Sequence, residues 1–489
     1  MNNFWDSSVW GGFFILAILL GAILISNALK RMIPALKKSL IPTSVLAGIV
    51  ILIIAEVYTA ITDVPFFNTE FFGGNGYNFL EIITYHCLAL GFIATSFKAS
   101  GGKFGKKRSN EIFNTGVTTV STYLIQAVFG LGITLLATLV IKDFFAAAGV
   151  LLPFGYGQGT GQALNYGMIY ESQGFVGGKA FGLTIAALGF LSASIGGVIH
   201  LNILKRKGKI KVVDKTETSL SSEQIDSPKE IPMQGSVDKF TIQIALVCFA
   251  YVLAYAVMFL LGLALPGMKA TIYGFNFLLG VLAATAVKAT INALRKKNVI
   301  QKGYVNDFLM TRISNFFFDL MVVSGIAAIR LSLLENYWGI ILILGVVGLV
   351  ITYFYNRIVV KVLFKDYPEE QFLAMYGMLT GTASTGIILL REIDGEFKTP
   401  ASDNLVYQNF PAIVFGFPMM LLATLAPKKP VLTLIILVAF FIVMNVILFR
   451  NQIFRRKRLS DGVNIEETNG DGYGDTVCDA KTSDGEQSE

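Results

Sequence analysis

Leu151-Leu-Pro-Phe-Gly-Tyr-Gly-Gln-Gly-Thr-Gly-Gln-Ala-Leu-Asn165 places Gly155, Gly157, Gly159 and Gly161 at alternate positions between two long apolar runs. Each glycine costs a helix interior ~1 kcal/mol relative to alanine, so the stretch predicts an interrupted helix. Unpaired backbone cannot face hydrocarbon, so such a segment must line a wet or protein-enclosed cavity. Its free carbonyls can coordinate Na⁺ and its N–H groups can hold a carboxylate. Gly157, Gln158, Gly159, Thr160 and Gly161 are therefore candidate substrate-binding residues. The competing reading is a tight external loop with glycines for turns. Gln158, Thr160, Gln162 and Asn165 carry more polarity than a turn needs. A dinucleotide loop is excluded, because no strand–helix unit surrounds Gly157-Gln-Gly159.

The surroundings are those of a polytopic α-helical membrane protein. Of 489 residues, 54% are hydrophobic and 15% charged, against about 25% charged in soluble domains. Runs such as 9–29 and 431–449 carry no charge and match a hydrocarbon core of ~30 Å. Eleven spans are expected near 9–29, 40–60, 80–97, 113–141, 180–203, 239–264, 270–293, 307–329, 338–360, 404–426 and 430–449. Alternate loops then hold about 27 basic residues on one side and about five on the other, which sets the basic side as cytoplasmic. This accounts for the net charge of +7 without a nucleic-acid partner. The first run lacks a basic leader, and Lys30, Arg31, Lys37 and Lys38 follow it. That is the pattern of a retained first span with the N-terminus outside and the C-terminus cytoplasmic. Trp5, Trp10 and Trp338 fit an interfacial belt. Cys87, Cys248, Cys478, His86 and His200 have no metal-ligand spacing, and no catalytic cluster suggests an enzyme.

A second interruption is expected at Met375-Tyr-Gly-Met-Leu-Thr-Gly-Thr-Ala-Ser-Thr-Gly386. Its hydroxyls and carbonyls suit Na⁺, and its hydroxyls can also donate to a carboxylate. Thr380, Gly381 and Thr382 are candidate Na⁺ ligands, and Ser384 and Thr385 candidate substrate contacts. Back-bonding of these hydroxyls within an ordinary span is the alternative. Each half of the chain has five spans with one interruption between the fourth and fifth. Five is odd, so the second half lies upside down relative to the first, an inverted repeat. The expected organisation is repeat 1–203 with re-entrant segment 150–166, and a cytoplasmic linker 204–237. Repeat 238–426 follows with re-entrant segment 368–390, then an extra helix 427–450 and an acidic disordered tail 451–489.

Asp319 falls well inside an apolar span, where a carboxylate must be paired, hydrated or ion-bound. It and Asn315 are candidate Na⁺ ligands, with Ser324 expected on the same face. A structural pair with Arg312 or Lys288 is the other reading. Arg391 offers a guanidinium fork for a substrate carboxylate, or marks a membrane boundary beside Glu392. Glu171 has the same two readings, and Glu56 and His200 read as interfacial.

At these loops the sequence resembles the bacterial sodium/glutamate symporter family. The matching pieces are Ile41-Pro42-Thr43-Ser44, Leu88-Ala-Leu-Gly-Phe-Ile-Ala-Thr-Ser96, Gly157-Gln-Gly-Thr-Gly161, and the stretches 307–331 and 374–386. Tyr156 and Leu379 replace glycines of the family's paired Gly-rich loops, and the last span and tail depart from its short members. The resemblance implies sodium-coupled uptake of L-glutamate or a similar anion in the bacterial cell membrane. It also implies a homodimer and a moving unit that holds both loops. Related 2-hydroxycarboxylate symporters share that architecture, and cation/proton antiport through Asp319 is a further rival.

Overall fold

The computed structural model describes residues 3–98, 105–208, 230–233, 236–395, 398–450 and 452–453. Most of the expected linker and nearly all of the acidic tail lie outside these residues. The first half contains α1 (Ser7–Met32), α2 (Pro34–Lys38), α3 (Thr43–Thr62), α4 (Gly76–Phe97), α5 (Lys106–Ala137), α6 (Leu151–Glu171) and α7 (Gly178–Arg206). The second contains α8 (Lys239–Ala264), α9 (Lys269–Gly274), α10 (Asn276–Lys296), α11 (Asp307–Ala327), α12 (Trp338–Leu363), α13 (Pro368–Thr380) and α14 (Ala383–Arg391). It ends with α15 (Ala401–Tyr407), α16 (Asn409–Leu425) and α17 (Pro430–Leu448).

Among the described residues ten helices are long and apolar enough to cross a membrane, and the bent pair at 401–425 makes an eleventh if counted as one span. The chain is thus an all-α, multi-pass membrane protein. The pair bends by 52° beside Pro411, whose ring disfavours helical geometry at the preceding residue. The fourth span starts earlier than expected, at Lys106, and ends at Ala137, where residues 138–143, with Lys142 and Asp143 among them, form turns.

One compact unit covers Met1–Met444, both sequence halves together; a second begins at Asn445. Within the first unit, helix pairing follows a repeated pattern. α1 packs on α3 as α8 packs on α10, and α3 packs on α11 as α10 packs on α4. α5 meets α6 and α16 as α12 meets α13 and α7, while α4–α11 and α5–α12 pair across the halves. The pattern divides the unit into a bundle around α4–α11 (with α1, α3, α8 and α10) and a bundle around α5–α12 (with α6, α7 and α13–α16).

Without a hydrophobic force between helices in lipid, close packing at small residues and interhelical hydrogen bonds hold such crossings. A methyl group on Gly91 would strike the Phe318 ring, and one on Gly48 would strike Ile326. Thr84 and Ser324 hydroxyls meet at 2.9 Å, and Thr95 and Ser314 at 2.7 Å, along the α4–α11 seam.

Candidate functional site

α6 is not one rod. Gly159 has φ 78° and ψ −171°, a region essentially restricted to glycine. The rings of Phe154 and Tyr166 stack with centroids 3.7 Å apart. Twelve residues of straight helix would separate them by about 18 Å. The chain therefore doubles back at Gly159, and its feet close on each other where Phe145 stacks on Phe175 at 4.7 Å. The glycine run does not unwind the helix as expected. Gly155, Gly157 and Gly161 remain helical and buried because Ile185, Tyr123 and Leu88 approach where a Cβ would stand. The hairpin also runs past the expected end at 166, to Glu171.

α13 and α14 form a second hairpin. Helix ends at Thr380, Gly381 and Thr382 are non-helical, and helix resumes at Ala383. Gly377 and Gly386 do not break it. They face each other across the two arms, a methyl on Gly377 falling 2.8 Å from Gly386 Cα.

α7 fixes how the hairpins are placed. Near its start, Lys179 Nζ lies 3.5 Å from Glu171 at the foot of the first hairpin. Toward its end, His200 Nε2 lies 3.1 Å from Glu369 at the foot of the second. Those two residues are 21 apart, or about 32 Å along the helix. Midway, Gly189 has room for no side chain, since a Cβ there would lie 2.6 Å from Thr380 O and 3.2 Å from Tyr156 Cα. The feet are thus at opposite ends of α7 and the tips meet at its middle. A Cβ on Gly159 would lie 3.3 Å from Thr382 Cγ2 and 3.7 Å from Gly381 O, so the two breaks are in contact.

The last carbonyls of a half-helix have no partner within it. α5 supplies donors to both tips. Tyr123 OH donates to Gly157 O at 3.0 Å, and Gln126 Nε2 donates to Leu379 O at 3.0 Å. Tyr156 OH donates to Gly345 O at 2.6 Å, and Tyr376 OH to Ser192 O at 2.8 Å, which anchors each first arm sideways. None of these partners was singled out from sequence. A buried Gln within an apolar span is the one signal that was available.

Of the candidate residues, Gly157, Gly159, Thr160, Gly161, Thr380, Gly381 and Thr385 are buried at the joined tips, and Gln158, Thr382 and Ser384 are partly exposed there. Thr160 Oγ1 donates to Met321 O at 3.2 Å, which ties the first tip to α11. Thr380 Oγ1 donates back to Tyr376 O at 2.6 Å, so for this residue back-bonding is realised. Thr382 and Thr385 hydroxyls are 3.3 Å apart.

Asp319 and Asn315 are exposed on α11, two and six residues before Met321. Asp319 interacts with the Ser44 side chain of α3. The proposed structural partners lie elsewhere: Arg312 covers the Phe308 ring at 4.9 Å, and Lys288 donates to Lys98 O. Ser324 does not share the Asp319 face; it is buried against Thr84. Arg391 is at the far end of α14, about 12 Å from the break. It lines a cavity of about 310 Å³ with Lys30, Arg31, Lys37 and Glu392.

Glu171, with its two readings, and His200, read as interfacial, are both network members. His200 is buried and bonds Tyr353 OH at 2.8 Å as well as Glu369, which takes a bidentate Arg357 at 2.6 and 2.8 Å. Glu171 accepts from Lys179 N at 3.1 Å, and Lys179 Nζ reaches Glu81 at 2.6 Å, with Arg330 on the other Glu81 oxygen at 2.9 Å. No family model matches this sequence, and no curated protein matches it.

Proposed function

We propose that the protein is a sodium-coupled secondary active symporter that imports L-glutamate or a similar small anionic amino acid by alternating access. The observation that carries this reading is the pair of broken helices whose feet lie at opposite ends of α7 and whose tips touch at its middle. Half-helix ends at mid-membrane provide N–H groups for a carboxylate and carbonyls for a cation. The repeated helix pairing supports an inverted repeat, in which each hairpin enters the bilayer from its own face.

On this reading Thr380, Gly381 and Thr382 supply Na⁺ ligands at the second tip, with Asn315 and Asp319 on the neighbouring face of α11. The substrate carboxylate lies against Gly157–Gly161 and the start of α14 at Ser384 and Thr385. Arg391, a full arm away, attracts the anion to the basic end rather than gripping it at the tips. The host is the bacterial cell membrane with the N-terminus outside, and the carrier works as a homodimer. The second reading, cation/proton antiport, draws on Asp319 and its contact with Ser44.

Uptake into proteoliposomes tests both. A Na⁺ gradient should drive saturable glutamate uptake, and Thr160→Val, Ser384→Ala and Asp319→Asn should each impair it with insertion intact. Na⁺ efflux driven by a pH gradient without glutamate, and abolished by Asp319→Asn, would favour antiport instead. A panel with aspartate, citrate and malate separates an amino-acid carrier from a 2-hydroxycarboxylate carrier.

A further inference from the structure

We propose a cation site buried between α5 and α12 at the C-terminal end of α13, built on Gln126 Oε1 and Asn356 Oδ1. Both side chains are fully buried. Gln126 Nε2 donates to Thr352 Oγ1 at 2.8 Å and to Leu379 O at 3.0 Å. Asn356 Nδ2 donates to Thr352 O at 2.9 Å and to Thr122 Oγ1 at 3.4 Å. The four side chains form two rungs of one ladder, since Thr122 and Gln126 are a turn apart on α5, and Thr352 and Asn356 a turn apart on α12. In each amide the nitrogen is engaged and the oxygen has no hydrogen-bond partner.

The amides cannot be turned over to relieve this. Flipping Gln126 sets its oxygen against Leu379 O, and flipping Asn356 sets its oxygen against Thr352 O, acceptor on acceptor in both cases. Two buried acceptors, each held outward from a backbone carbonyl, call for a positive group or a water. The location favours the positive group. Leu379 lies in the last turn of α13, where the helix dipole presents partial negative charge.

The chemistry limits the ion to an alkali cation. Hard divalent ions take carboxylate ligands, and the ladder contains only amide, hydroxyl and carbonyl oxygens. Naming Na⁺ among alkali cations rests on the symport reading; the site itself does not. A cation here would join α5 and α12 and, through Gln126 Nε2, brace the carbonyl two residues before the second break. Its occupancy would then set the geometry of that tip before substrate arrives.

The test uses purified full-length protein without substrate, and follows thermal unfolding against Na⁺ concentration with choline holding ionic strength constant. Na⁺ should raise the unfolding temperature of the wild type. Gln126→Leu and Asn356→Leu should each raise the Na⁺ concentration for half effect about tenfold or more. Gln126→Asn, which keeps the amide but draws its oxygen back by one methylene, should raise it as well. Should the leucine variants not fold, Gln126→Asn decides alone. An unchanged half-effect concentration in the variants that fold would mean water occupies the ladder, and the proposal fails. Should Na⁺-driven glutamate uptake persist with unaltered Na⁺ half-saturation in the variants, the site falls and symport stands. Should the wild type show Na⁺ stabilisation that the variants lose, but no Na⁺-driven uptake, symport falls and the site stands.

Discussion

The two ends of α7 hold the hairpins differently. At the Lys179 end, ion pairs cross between the bundles. Lys179 of α7 pairs with Glu81 of α4, which also takes Arg330 following α11, while Glu171 joins from the hairpin foot. Leu331 N donates to Glu56 at 3.2 Å in the same region. At the His200 end the pairs Arg357–Glu369, Arg108–Glu111 and Lys107–Asp366 lie within the α5–α12 bundle. Where α14 approaches α1 and α2, Lys30, Arg31, Lys37, Arg391 and Glu392 line one cavity. Opposite charges therefore clamp the bundles at the Lys179 end. The tips follow suit: the first is bonded to α11, and the second leaves Ala383 exposed and Ser384 partly exposed. On the symport reading this is a conformation closed at the Lys179 end, with its site reached from the basic end.

The comparison can be broken at its centre first. Gly159→Ala forces a side chain into a glycine-only conformation at a cost of about 1–3 kcal/mol, and Gly189→Val overpacks the meeting point by a similar amount. Each should lower substrate uptake by about tenfold or more, measured as initial rate in proteoliposomes. Next, Glu81→Gln removes the carboxylate that Lys179 and Arg330 share. The clamp should weaken by about 1–3 kcal/mol and shift the population toward opening at the Lys179 end. Thiol labelling of Ser384→Cys from the basic side, in a cysteine-free background, should then slow several-fold, by about 3 or more.

Arg391→Gln should have a smaller effect. Its distance from the tips predicts a rise in KM of a few-fold, roughly 2–5, with kcat unchanged; a lost kcat would return Arg391 to the substrate. The smallest effect belongs to Asp366→Asn. Lys107 holds the Asp366 carboxyl below its ordinary range, so whatever stability the pair adds is present above that range and fades as pH falls through the lowered value. Both partners are well exposed, 78% and 65% at the side chain, and such pairs contribute little. Unfolding temperature at neutral pH should be almost unmoved.

The membrane helices were legible in the sequence because length and apolarity suffice to mark a span. The two interruptions were legible because glycine and hydroxyl runs are costly in lipid. Their hairpin form was not, since Gly155, Gly157 and Gly377 serve close approach and only Gly159 and the 381–382 pair turn the chain. Composition cannot tell a glycine that bends from one that makes room. The Gln126–Thr352 and Asn356–Thr122 rungs and the Glu81–Lys179–Arg330 cluster join residues far apart in the chain, and no local pattern announces them. The guanidinium of Arg391 suits a substrate carboxylate, but its chemistry does not say where along α14 it sits. Nine residues of helix carry a side chain to the other end of its element.

Two-sided accessibility tests the central arrangement most directly. In protein lacking Cys87, Cys248 and Cys478, single cysteines at Gln173, beyond the first hairpin's foot, and at Lys365, before the second's, are labelled with an impermeant maleimide in oriented membranes. The account predicts labelling of the two from opposite faces, Lys365→Cys from the basic side. Labelling of both from one face would contradict hairpins that meet from opposite ends.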